Sequence, residues 1–120
     1  MPFLRGKNQI AAMLRSRHEL RGVMTHYTEA SIVEALGTEA ADWQWDVGCI
    51  KTELVFKDFK TAFDFMSKVA DVAEKLGHHP DWQNSYNKIM ISLRTHDQSA
   101  VTTLDVALAK RISMLYRRFK

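Results

Sequence analysis

Hydrophobic side chains recur along the chain with two different periods, and each period predicts one kind of element. Apolar positions three or four residues apart predict three amphipathic helices. These helical stretches cover residues 28–36, 58–77 and 102–115. Alternation of apolar and polar side chains, the pattern of half-buried strands, occurs in three short segments between the helices, and the run from Trp82 to Tyr86 suggests a fourth strand. The four predicted strands cover residues 42–46, 50–56, 82–86 and 88–94.

Capping signals mark the ends of the predicted helices. Thr28 and Asp58 stand where the first two helices need N-caps, and Gly77 follows the last turn of the second. Thr102 and Asp105 have the spacing of a capping box before the third helix. The order helix, two strands, helix, two strands, helix favours an α+β domain. We expect a four-stranded antiparallel sheet with three helices packed on one face.

The composition is that of one globular domain. Of the 120 residues, 46% are hydrophobic and 26% are charged, and no apolar run approaches the roughly 20 residues that cross a bilayer. The single cysteine, Cys49, cannot form an internal disulfide, which favours a reducing compartment. We therefore expect a soluble protein of the cytoplasm or the mitochondrion, with no membrane partner.

Positive charge is concentrated at the two ends of the chain. Residues 1–27 carry five basic side chains and one acidic side chain. Residues 28–108 carry seven basic and thirteen acidic side chains. Because this body is acidic, we expect no direct contact with nucleic acid. The basic N-terminal extension, residues 1–26, has the composition of a targeting peptide, and an extra helix is the alternative. The predicted domain covers residues 27–120.

Three histidines stand at the ends of predicted elements. His78 and His79 follow the second helix, and His96 follows the fourth strand. Loops at such positions present reactive groups, and the carbonyls at a helix C-terminus favour a protonated imidazole. These histidines therefore suit proton transfer near neutral pH. Local structural hydrogen bonds are one alternative, and a zinc site is another that the spacing disfavours.

A longer pattern around these histidines resembles the signature of the pterin-4a-carbinolamine dehydratase family. The pattern comprises an acid, a His-His-Pro triplet, an aromatic residue, a later histidine and an aspartate: Glu74, His78, His79, Pro80, Tyr86, His96 and Asp105. The segment from Phe56 to Met66 is also similar to the family's strand-to-helix passage. The likeness covers residues 27–115, and it departs from the family pattern at Gly77 and at residues 98–101.

The resemblance implies an enzyme of tetrahydrobiopterin recycling. Such an enzyme dehydrates 4a-hydroxytetrahydropterin to quinonoid dihydropterin and water, and it needs neither a metal nor an organic cofactor. By position, His78 and His96 correspond to an acid–base pair, and His79 corresponds to a histidine that orients the pterin. The resemblance therefore predicts that the three imidazoles gather around one cavity wide enough for a bicyclic ring.

The resemblance also implies substrate-binding roles for Glu74, Pro80, Trp82 and Asp105. The two carboxylates would orient the histidines or bind the pterin ring. On the residues alone, Glu74 is equally a solvated helix residue, Asp105 a capping residue and Trp82 a core residue. Family members are commonly homotetramers built as dimers of dimers, so we expect a homodimer or homotetramer. Some members act as dimerisation cofactors of a homeodomain transcription factor, and related domains that lack the histidines serve as assembly factors. A protein-binding function is therefore the alternative, although the three histidines together favour catalysis.

Overall fold

A computed structural model describes residues 24–120, and the predicted helices and strands occur in the expected order, with two additional short strands. The α-helices are α1 (Glu29–Leu36), α2 (Phe59–Leu76) and α3 (Thr103–Phe119). The strands are β1 (His26–Tyr27), β2 (Gln44–Trp45), β3 (Ile50–Val55), β4 (Asp81–Ser85), β5 (Lys88–Leu93) and β6 (Val101–Thr102). Short 3-10 helices cover Gly37–Asp42 and His96–Gln98. The predicted α+β fold is confirmed, whereas most of the predicted extension, residues 1–23, lies outside the described residues.

The main sheet has four antiparallel strands in the order β2-β3-β5-β4. Its inner face is apolar, because Ile50, Ile89 and Ile91 are at most 1% exposed. The helices pack on this face, while alternate side chains such as Lys51 and Met90 project from the open face to solvent. The alternation in the sequence thus defines one covered face and one open face, as predicted for a half-buried sheet.

Helix α2 carries the chain from one end of the sheet to the other. The Asp58 carboxylate accepts a hydrogen bond from the backbone N–H of Thr61 at 2.8 Å, which starts the helix as predicted. At the other end, Gly77 adopts a left-handed conformation (φ 63°, ψ 31°) and donates to the carbonyls of Ala73 and Glu74. Glycine suits this conformation because it lacks a Cβ. The turn at Gly77 delivers the chain directly to the histidine pair.

A second, two-stranded ribbon joins β1 to β6, with His26 opposite Thr102. The backbone N–H of Thr103 also donates to the carbonyl of Thr25 at 3.2 Å. This ribbon fixes the segment that enters α3. Among residues 24–120, no helix combines the length and the apolarity that crossing a bilayer requires.

Candidate active site

The antiparallel pairing of β4 with β5 brings the two histidine-bearing loops together. Asp81, at the start of β4, lies opposite Ser92, near the end of β5. The residues that precede β4, including His78 and His79, therefore lie beside those that follow β5, including His96. Sheet register places the three histidines at one end of the domain, although up to 18 positions separate them along the chain.

His78 is the buried member of the three. Only 3% of the residue is exposed, and its Nε2 lies 2.6 Å from Oδ1 of Asp105. Asp105 is completely buried, and its Oδ2 accepts hydrogen bonds from the Thr95 hydroxyl and from the backbone N–H of Thr102, each at 2.8 Å. Because these partners occupy both oxygens, the contacts of Asp105 are those of a residue that caps α3 and orients His78.

The other two histidines lie at the surface, and each is held by its own carboxylate. Nε2 of His79 lies 2.6 Å from Oε2 of Glu74, and the side chains are 62% and 76% exposed. Nε2 of His96 lies 3.0 Å from Oδ2 of Asp81, with side-chain exposures of 64% and 60%. When the carboxylate accepts the hydrogen on Nε2, Nδ1 of the same ring is left for a ligand.

The carboxylate pairs also bear on the zinc alternative. Nε2 of each imidazole is hydrogen-bonded to a different carboxylate, so the three Nε2 atoms do not converge on one ligand position. Within the part of the chain that the structure describes, no group of three or more His, Cys, Asp or Glu side chains is arranged to hold a metal ion. The arrangement is that of separate histidine–carboxylate pairs, which can take up and release protons.

An open cavity of about 690 Å³ lies on the exposed face of the sheet, next to these loops. Asp81 and Trp82 line it, and Trp82 also packs against the core, so both interpretations of this tryptophan agree with its position. Because Asp81 holds His96, this histidine stands at the margin of the cavity. The expected gathering of all three imidazoles is not seen in the lining, which contains none of them, and His78 is enclosed.

The remaining residues of the signature lie in different surroundings. Pro80 is half-buried and leads directly into β4, which agrees with a role in shaping the loop. Tyr86 lies at the opposite end of β4 from Asp81, in the β4–β5 turn, where it has a positive φ of 51° and is 66% exposed. The aromatic residue of the signature is therefore remote from the histidines of its own domain.

Two further residues support the histidines, and no motif in the sequence marks them. Asp81 is hydrogen-bonded to His96. Thr95, the residue before His96, donates a hydrogen bond to Asp105. Neither stands at a spacing that marks a motif, because both contacts join segments that only the folded sheet brings together. The one available signal was that Asp81 follows the His-His-Pro triplet directly, next to residues already singled out.

The fold and the site define a class: a small α+β domain with histidine–carboxylate pairs at one end of an antiparallel sheet. Residues 25–115 match the model of a protein family, described as pterin 4 alpha carbinolamine dehydratase. This match covers most of the chain, and the chain therefore belongs to the pterin-4-alpha-carbinolamine dehydratase family. The resemblance noted in the sequence is confirmed.

Individual relatives agree with the family match. The chain is 45% identical over 92 residues to a protein of Prochlorococcus marinus that is named as a pterin-4-alpha-carbinolamine dehydratase. The aligned region covers 77% of this chain and 97% of that protein. A protein of Mesorhizobium japonicum with the same name is 46% identical over 83 residues, covering 68% and 85%. A crystal structure of a transcriptional coactivator/pterin dehydratase from Brucella melitensis superposes with a TM-score of 0.70 at 40% identity, covering 77% and 99%.

Proposed function

We propose that this protein removes water from a 4a-hydroxytetrahydropterin and releases quinonoid dihydropterin, as in tetrahydrobiopterin recycling. Family membership supports the dehydratase class. The observation that carries the proposal is the placement of His96, held by Asp81 at the margin of an open cavity. A cavity of about 690 Å³ has the size of a small-molecule site and is wide enough for a bicyclic ring.

The reaction requires two proton transfers. The C4a–O bond breaks, and the departing hydroxide takes a proton to leave as water. A ring nitrogen gives up a proton as the new double bond forms, so protons and charge balance. We assign these transfers to His79 and His96, because both rings are exposed and each has one nitrogen held by a carboxylate. One ring acts protonated as the acid, and the other acts neutral as the base.

His78 has a different role in this proposal. The resemblance alone implies that His78 belongs to the acid–base pair, but its ring is 96% buried and hydrogen-bonded to Asp105. We therefore assign His78 to positioning: its bond to Asp105 fixes the loop that carries the adjacent His79. Asp105 and Glu74 orient histidines in this arrangement, and Trp82 offers an aromatic surface beside the cavity.

The decisive experiment is an assay of quinonoid dihydropterin formation with the purified protein. The substrate, 4a-hydroxytetrahydrobiopterin, is generated in the assay, and its spontaneous dehydration supplies the baseline. We expect the protein to accelerate product formation, and we expect a chelator to leave the rate unchanged because proton transfer by imidazole needs no metal. A rate equal to the baseline would exclude the dehydratase function, and loss of activity with chelator would restore the zinc alternative.

A protein-binding role is the second candidate. It is supported by Phe59 and Phe63 on α2, which are 47% and 54% exposed and whose rings lie 6.0 Å apart. An exposed aromatic pair of this kind suits an interface with another copy of the chain, in a homodimer or homotetramer, or with a different protein. Sedimentation of the wild type beside Phe59→Ser and Phe63→Ser tests it: dissociation of an assembly in the variants would support it, and identical sedimentation would refute it for self-association.

A further inference from the structure

Arg94 follows the last residue of β5 and carries a positive charge that the site does not use. Its Nε is buried and has no hydrogen-bond partner. Within residues 24–120, Arg94 also forms no ion pair, whereas His96, two positions further on, is held by Asp81. Buried N–H groups are almost always hydrogen-bonded in folded proteins, so an unpaired guanidinium N–H next to a candidate active site calls for a partner.

The alternation of side chains places Arg94 on the open face of the sheet. Its neighbours Leu93 and Thr95 are both completely buried, so they face the helices. Arg94 lies between them and therefore shares the face of Ser92, which lines the cavity. Ser92 in turn is paired with Asp81, the residue that holds His96. Arg94 thus stands at the histidine end of the cavity face.

The local charges leave Arg94 available to a ligand. Each of the three carboxylates that hold the histidines, Glu74, Asp81 and Asp105, is already hydrogen-bonded. The other two carboxylates of the cavity lining, Asp42 and Glu53, form no ion pair with Arg94. Lys51, another cation of the open face, is bound to Asp46 at 2.6 Å. A guanidinium without such a partner binds carboxylate or phosphate well, because its planar fork matches the paired oxygens of these groups.

We propose that Arg94 gives the site a preference for pterins whose side chain carries an anionic group, a carboxylate or a phosphate. This inference rests on the proposed function, because it places the pterin ring beside His96. The ring would lie against the histidines, and the side chain would extend along the open face to Arg94. A pterin with a neutral side chain would leave the guanidinium of Arg94 without an ion-pair partner, so it would gain no affinity from this residue.

Equilibrium binding of stable, oxidised pterins tests this preference without any turnover. Isothermal titration would compare biopterin, which has a neutral side chain, with pterin-6-carboxylate and with neopterin monophosphate. For the wild type we expect at least one anionic pterin to bind roughly tenfold more tightly than biopterin, since hydrogen bonds to charged groups are the stronger ones. The carboxylate and phosphate arms identify which anion fits.

The test variant is Arg94→Gln, and Arg111→Gln is the matched control. Arg111 lies on α3 and also has a buried Nε without a partner, but it belongs to neither histidine-bearing loop. We expect Arg94→Gln to abolish the preference for the anionic pterin, Arg94→Lys to restore part of it, and Arg111→Gln to retain all of it. The proposal is overturned if the wild type shows no preference or if the preference survives in Arg94→Gln.

These measurements separate the two proposals. Preferential binding of an anionic pterin that depends on Arg94, together with no dehydration in the turnover assay, would refute the proposed function and support the role of Arg94. Dehydration without any anion preference would refute the role of Arg94 and leave the proposed function standing. A wild type that binds none of the three pterins would refute the inference about Arg94.

Discussion

Nε2 of His78 and Oδ1 of Asp105 lie 2.6 Å apart, although 27 positions separate the two residues in the sequence. Both side chains are withdrawn from solvent, with exposures of 4% and 0%. The same carboxylate caps α3 and accepts a hydrogen bond from the hydroxyl of Thr95, the residue that precedes His96. One buried group therefore ties the loop after α2 to the loop after β5, and it fixes the relative positions of the histidines at the surface.

Removing this carboxylate should destabilise the whole domain. Asp105→Ala leaves His78, the Thr95 hydroxyl and a backbone N–H without their acceptor, and breaking a buried pair in this way costs about 3–5 kcal/mol. We expect a loss of that size in the free energy of unfolding, measured by urea denaturation. Asp71→Ala, at an exposed position of α2, is the control and should change it by less than about 0.5 kcal/mol. A loss below about 1 kcal/mol in Asp105→Ala would contradict the connecting role of this carboxylate.

The three histidines should respond differently to substitution. His79→Gln and His96→Gln change exposed side chains, so the melting temperature should stay near that of the wild type while dehydration slows by roughly 10²-fold or more. His78→Ala removes a buried side chain and leaves Oδ1 of Asp105 without its partner, so both the rate and the melting temperature should fall. Turnover assays and thermal unfolding on the same samples check this pattern. A fully active His79 or His96 variant would remove that residue from the proposed chemistry.

Local signals in the sequence predicted much of the fold. The N-caps Thr28 and Asp58 and the glycine at position 77 act at helix ends as expected, because capping depends on a few neighbouring residues. The alternation of Trp43 with polar neighbours predicts a strand at this residue. Instead it precedes β2, is buried, and donates from its indole N–H to Ser113 of α3 at 3.0 Å. Alternation of apolar and polar side chains reflects which residues are buried, and it does not distinguish a strand from a short buried loop.

The contacts of the site depended on tertiary structure. The sequence correctly predicted the capping box of Thr102 and Asp105. Nothing in its spacing indicates that Oδ1 of Asp105 is hydrogen-bonded to His78. The β1–β6 ribbon was missed because strands of two residues carry no measurable period. Residues could thus be nominated for the site from sequence, but their burial and partners required the sheet register.

The pair formed by Asp81 and His96 should contribute modestly to the rate. Both side chains are more than half exposed, and exposed pairs of this kind are worth about 0.2–1 kcal/mol. Asp81→Asn should therefore lower kcat by less than about tenfold, while His96→Gln lowers it by roughly 10²-fold or more. Steady-state kinetics of both variants in low and high salt would check this, because salt screens the wild-type pair. An equal loss in the two variants would mean that Asp81 itself takes part in proton transfer.

The N-cap of α2 should make stability depend on pH in the acidic range. Hydrogen bonds from the side chain and the backbone N–H of Thr61 hold the pKa of Asp58 below its ordinary value of 3.8, because they favour the charged carboxylate. For a group whose folded pKa is lowered, the stabilisation is complete above the ordinary value and is lost as the pH falls through the folded pKa. Asparagine caps a helix as well as aspartate but does not titrate. The difference in melting temperature between wild type and Asp58→Asn should therefore be constant above about pH 5 and shift against the wild type on acidification.

Asp71→Asn is the matched control for this titration, since it removes one negative charge from the exposed side of the same helix and leaves the cap intact. Thermal unfolding of the three proteins at intervals between about pH 3 and pH 7 would separate the cap from the general effect of acid on the domain. A difference between wild type and Asp58→Asn that stays constant over this whole range would show that the charged form of Asp58 has no preference for the folded state. Such a result would contradict the hydrogen bonds from Thr61 as the cause of the lowered pKa.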